Sequence, residues 1–263
     1  MVFFLSLAVC FFSLFQPVYA GEKPAMPEPV DSWTMEILTA TKNLEMALRE
    51  DPHDYTARDQ LAFVYTSLGM WAKARPEIRH LIDRYPRVSG HYNNLGWVYI
   101  NLGQFQKAER PLRRALSLEP DNPYARYNLA MTLEEQSRTG EAIEQYQEFL
   151  KYRPDDPQVH FDLANTYLGL KRIDEAMEHY HTVLKVNPKD SDVLRKLGLC
   201  YVIKKDKKKA ARCLKKCLKL NQKDGVARML LDLIEGRIKS QEADLSVLKQ
   251  IGPDKRWREI DKQ

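Results

Sequence analysis

Between Ser89 and Asn122 the apolar and small residues fall into two helix-period stripes with a turn at Gly103 between them. Tyr92, Leu95, Gly96 and Tyr99 are spaced by threes and fours, which places them on one side of a first helix. Ala108, Leu112 and Ala115 do the same for a second helix, and Pro120 stops it. Gly96 and Ala108 are small enough to let the two helices approach closely, with larger side chains locking above and below them. The pattern predicts an antiparallel helical hairpin.

The same pattern recurs along the chain. Prolines fall at Pro52, Pro86, Pro120, Pro154 and Pro188, each 34 residues after the last, with Gln222 in the next slot. The small residue of the second helix recurs in step as Ala40, Ala74, Ala108, Ala142, Ala176 and Ala210. The first-helix leucine follows at Leu61, Leu95, Leu129, Leu163 and Leu197, each succeeded by Ala or Gly. Tyr65, Tyr99, Tyr167 and Tyr201 sit four residues further on, with Leu133 the exception. This register closely resembles the tetratricopeptide repeat, a helix–turn–helix unit of 34 residues. The resemblance implies an all-α fold, a right-handed solenoid of antiparallel helix pairs in which each hairpin buries its apolar face on its neighbours.

Five complete repeats are expected at 55–88, 89–122, 123–156, 157–190 and 191–224. Their turns are expected at Gly69 and Gly103, and at the polar stretches Arg138-Thr139-Gly140, Lys171-Arg172 and Lys205-Asp206. Residues 35–54 supply the second-helix positions of a repeat whose first helix is missing, and 225–251 read as capping helices before a tail at 252–263. Residues 21–34 carry several prolines and no apolar period, as a tether would. Val2 to Phe15 is an apolar run, and Val18-Tyr19-Ala20 before Gly21 suits a signal-peptidase site. Export with cleavage at Gly21, to the periplasm or outside the cell, is the expectation. No Lys or Arg precedes the run, a departure from the usual signal. The alternative is an uncleaved membrane anchor at 2–15, although that run is short for a span. A lipoprotein reading at Cys10 fails because bulky Val9 precedes it inside the run.

No phosphate-cradling glycine loop, nucleophile elbow or metalloprotease helix motif appears, so neither an enzyme nor a cofactor is expected. His179 and His181 lie two apart on a helix, hence on different faces, and read as surface residues that cannot share a metal. Cys200, Cys213 and Cys217 share the fifth repeat. They read either as small buried apolar residues or as a disulfide from Cys200 to Cys213 or Cys217, if the chain meets an oxidising compartment.

Charge changes the picture in one place. Residues 191–224 hold twelve Lys or Arg against three Asp, a net +9, so the rest of a +5 chain carries −4. Lys204, Lys205, Lys207, Lys208 and Lys209 form the densest run. They serve either solubility or an anionic partner such as an acidic protein, a lipid headgroup or a polymer. Nucleic acid is disfavoured because no aromatics interleave the lysines.

A second stripe remains on the first helices, about 140° from the packing stripe at 100° per residue. It carries Phe63, then Asn93, Asn94, Trp97 and Asn101, then Tyr124, Tyr127, Asn128 and Met131, then Phe161 and Asn165, and ends with Arg195 and Lys196. In tetratricopeptide proteins this stripe lines a concave groove, and the resemblance implies a peptide-binding surface there. Asn94 and Asn128 share one position in successive repeats, where an amide can both accept from and donate to an extended backbone. The family's carboxylate clamp, Lys and Asn four apart on this stripe, is absent. The competing reading packs Phe63 and Trp97 against neighbouring repeats or the tether. The sequence thus points to a non-enzymatic protein that binds an extended partner segment, with a scaffold acting through the basic repeat as the alternative.

Overall fold

A computed structural model of the chain describes residues 32–237. The apolar segment 2–15 with its cleavage site, Cys10, the tether up to residue 31, the expected helix around Leu245–Ile251 and the tail 252–263 lie outside the described residues. Twelve helices and no strand occupy the described part: α1 (Ser32–Glu50), α2 (Tyr55–Ser67), α3 (Trp71–Arg84), α4 (Ser89–Asn101), α5 (Phe105–Leu118), α6 (Pro123–Glu135), α7 (Thr139–Tyr152), α8 (Pro157–Gly169), α9 (Ile173–Val186), α10 (Ser191–Ile203), α11 (Lys207–Leu220) and α12 (Gly225–Ile234). The all-α expectation is borne out. Residues up to Asp54 and from Tyr55 onward form two separate units. In the first, α1 begins at Ser32, three residues earlier than the apolar period indicated.

From Tyr55 each first helix has 13 residues and each second helix 14. The hairpin seam is the first stripe read above. Ala74, Ala108, Ala142, Ala176 and Ala210 are all fully buried. Leu61, Leu95, Leu129, Leu163 and Leu197 pack over them, each burial contributing about 1.5–3 kcal/mol. The glycines at this seam have a steric reason: a Cβ on Gly96 would lie 2.4 Å from Leu112 Cγ, and one on Gly198 2.7 Å from Leu214 Cδ2.

Every first helix ends in the same way. Gly69, Gly103, Ser137, Lys171 and Lys205 all adopt positive φ near 60–68°. The following N–H reaches back five residues, as from Gln104 to the Tyr99 carbonyl at 2.8 Å and from Arg172 to Tyr167 at 2.9 Å, which closes the orphan carbonyls of the helix end. The third turn therefore pivots on Ser137, whereas Gly140 sits inside α7. First helices from α6 onward are capped by side chains at their starts, whereas α4 after Val88 is not. Asn122, Asp156, Asp190 and Asp224 each accept backbone N–H bonds from the first turn that follows.

First helices of successive repeats touch each other, α4 with α6 and α10 with α12, while second helices of successive repeats show no comparable contact. The first helices thus lie on the inner side of the stack, and the second helices face outward.

Candidate groove on the first helices

The inner surface is built from the side chains that the hairpin seam leaves over, and neighbouring repeats are stitched across it. Asn128 Nδ2 donates to Asn93 Oδ1 at 2.9 Å, a step of 35 residues. Tyr127 OH donates to Asp162 Oδ2 at 2.7 Å over the same step. One repeat further on, the Lys196 ammonium stands 5.6 Å over the Phe161 ring, again 35 residues along. A side chain at the fifth place of one repeat therefore reaches the sixth place of the next. The ladder begins only after the first repeat, because Asp59 turns instead toward His91 Nδ1 at 3.7 Å. Asn94, the residue it would have met, is exposed, and its amide has no partner among the described residues.

These bonds divide the expected groove residues into two sets. Tyr127 and Asn128 are buried, at 9% and 7% exposure, and are committed to neighbouring repeats. Asn165 Oδ1 accepts from Tyr180 OH at 2.7 Å, which takes up part of its amide and leaves the nitrogen for a ligand. Asn101 Nδ2 returns to its own helix at the Trp97 carbonyl, 2.9 Å away. Phe63, at 47% exposure, and Tyr124, at 51%, are open, although the Arg153 guanidinium lies 5.3 Å over the Tyr124 ring. Trp97 is half-buried and meets Trp71 edge-on at 6.5 Å, so part of it belongs to the packing. Asn93 keeps its amide nitrogen free, and Phe161 and Met131 are half-buried. The usable surface is therefore Phe63, Asn94, Trp97, Tyr124 and the edges of Asn93, Met131, Phe161 and Asn165.

A polar floor joins these side chains in the third to fifth repeats. Gln158 Nε2 donates to both Asp162 oxygens, at 3.2 and 3.1 Å, alongside the Tyr127 bond. Glu134 accepts from Tyr146 OH at 2.9 Å and from Thr166. Burial pushes the Asp162 carboxyl up to about 7, against the Tyr127 and Gln158 hydrogen bonds that favour its ionised form, and Glu134 and Asp156 add to the rise. Burial pulls the Lys196 ammonium down to about 8, with Arg195 beside it acting in the same direction. Sequence reasoning did not single out Asp162, Glu134 or Gln158, although all three lie on the same stripe.

Other candidate chemistry resolves into structure. His179 is half-buried, not a surface residue. Its Nδ1 lies 2.8 Å from His160 Nδ1 while His160 Nε2 meets the Pro154 carbonyl at 2.8 Å, so His160 donates there and the pair holds its remaining proton between the two rings. Tyr167 stacks on His179 at 5.5 Å and 7°. Burial lowers the His179 pKa, and His160 lowers it further. Cys200, Cys213 and Cys217 are free thiols, with Cys200 and Cys217 buried; the disulfide reading fails and the packing reading stands. Among the described residues no three His, Cys, Asp or Glu side chains converge as a metal site would.

Family models of the tetratricopeptide repeat match residues 60–123 and 93–157, 133–200, and 193–224. The chain belongs to the tetratricopeptide-repeat family. No curated protein matches it in sequence. Solved structures share the fold. PilW, described as a widely conserved type IV pilus biogenesis factor, is 20% identical with a TM-score of 0.65, over 75% of this chain and 91% of PilW. YrrB, described as a TPR protein with an unusual peptide-binding site, is 19% identical with a TM-score of 0.63, over 73% of this chain and all of YrrB (100%). MamA from Desulfovibrio magneticus RS-1 is 19% identical with a TM-score of 0.60, over 65% of this chain and 96% of that one.

Proposed function

We propose that this protein binds an extended segment of a partner protein along the inner face of its first helices and performs no catalysis. The observation that supports this most directly is the open aromatic–amide surface at the first two full repeats. Phe63 stays 47% exposed and Asn94 keeps an exposed amide without an intramolecular partner, where a solvated helix face would carry Lys, Glu or Gln. An Asn amide satisfies one peptide N–H and one C=O together, which holds backbone without reading sequence. Phe63, Trp97 and Phe161 supply the apolar contacts that dominate such binding. The peptide-binding site printed for YrrB is consistent with this use of the fold. Export of the chain, from the apolar segment before Gly21, remains part of the proposal.

Panning a phage-displayed random peptide library on the full chain tests the reading. Selected peptides that carry a benzophenone side chain should photo-crosslink to α2, α4 and α6. Crosslinks confined to the outward helices α5 and α7 would contradict it.

A further inference from the structure

The densest charge on the molecule lies outside the groove. α11 buries Ala210, Leu214 and Cys217. Lys208, Arg212, Lys215 and Lys219 follow one another at four, three and four residues, so they fall within about 60° of arc opposite that buried face and run ~16 Å along the axis. All four are exposed. Acidic neighbours neutralise little of this surface. Lys204 pairs with Asp174, Lys209 with Asp206 at 3.4 Å and Lys215 with Glu235 at 3.0 Å. Lys205, Lys207, Lys208, Arg212, Lys216 and Lys219 have no carboxylate in ion-pair reach among the described residues.

We propose that the outward face of α11 docks the protein on an anionic phospholipid bilayer, with the lysine stripe lying on the headgroup phosphates. Ten of the twelve cations in residues 191–224 are lysines. An ammonium is a strongly hydrated point charge without the guanidinium's rigid fork, so it suits a fluid array of phosphates better than one fixed carboxylate or phosphate. The stripe carries no aromatic on which a nucleobase could stack and no apolar side chain to enter the acyl region, so the contact is electrostatic and peripheral. That agrees with the described helices, none of which is long and apolar enough to cross a membrane. Because second helices face outward, a bilayer under α11 leaves the groove on the first helices open. Membrane docking and peptide binding are therefore compatible, and neither depends on the other.

Co-sedimentation of the full chain with extruded vesicles tests this. Phosphatidylcholine vesicles containing phosphatidylglycerol should bind it far better than phosphatidylcholine alone, and the difference should vanish as salt shortens screening below about 10 Å. The apolar segment 2–15 is common to both vesicle types, so it cancels in the comparison. Replacing Lys208, Arg212, Lys216 and Lys219 together by Gln removes four unpaired charges from an exposed face. At roughly fivefold per charge, partitioning to the anionic vesicles should fall by more than ~100-fold, with circular dichroism and peptide binding unchanged. Equal binding to both vesicle types, or indifference to the four substitutions, would overturn the proposal. Soluble polyglutamate that binds the face while anionic vesicles do not would overturn it too, in favour of an acidic protein partner.

Discussion

Asp162 shows how a groove position can be structural and titratable together. Its carboxylate has three hydrogen bonds from neutral donors, Tyr127 and Gln158, and no ion pair, so burial lifts its pKa to about 7 from an ordinary 3.8. The folded state holds this proton more tightly than the unfolded state does. The group's contribution to stability is therefore complete below the unfolded value and is lost as pH rises through the folded one. With one pKa unit worth about 1.4 kcal/mol, the loss amounts to a few kcal/mol at most. Asp162→Asn keeps the shape and removes the titration. Relative to the parent, its melting temperature should climb steadily between about pH 4 and 7 and then level off. A difference that stays constant across that window would show that Asp162 ionises freely in the fold. Asn128 carries a related correction. Buried and bonded to Asn93, it ties repeats together, so Asn128→Ala should cost stability as well as any binding.

At the scale of the helix and its turn, the five repeats solve one problem with unequal residues. Gly69 and Gly103 take the left-handed position at little cost, while Ser137, Lys171 and Lys205 hold the same φ against the strain of a Cβ. Lys171→Gly should therefore raise stability by roughly 0.5–1 kcal/mol in denaturant titration, and Gly103→Ala should lower it by a similar amount. A destabilising Lys171→Gly would mean that the side chain contributes more than its backbone costs. Gly96→Ala addresses a different constraint, since Leu112 must yield to the new Cβ, and should cost about 1–3 kcal/mol. These elements were legible beforehand because a packing stripe and a 34-residue register are local, repeated signals. The pivot at Ser137 was not. Gly140 offered a stronger local turn signal three residues later, and only the helix-end hydrogen bond from Arg138 to Leu133 selects the place. The links across repeats were hidden for a related reason. Asn93 to Asn128 and Tyr127 to Asp162 depend on how adjacent hairpins are offset, which no single repeat encodes.

For the molecule as a whole, the arrangement separates two surfaces by helix type. First helices present aromatics and amides inward, and the last of the second helices presents lysines outward. The proposed peptide capture relies on the positions left free after the repeats have been stitched together. Phe63 and Asn94 are the pair to change, since both are exposed and neither belongs to the ladder. In the Phe63→Ala, Asn94→Ala double variant, stability should stay within about 1 kcal/mol of the parent, as for ordinary surface substitutions. Affinity for the panned peptides should fall at least ~30-fold, as expected where an aromatic anchor is lost. Tyr152→Ala, which removes an equally exposed aromatic from the second helix α7, should leave affinity unchanged. Melting temperature and peptide affinity measured on these same proteins decide the matter: a double variant that still binds the peptides as tightly as the parent contradicts the groove.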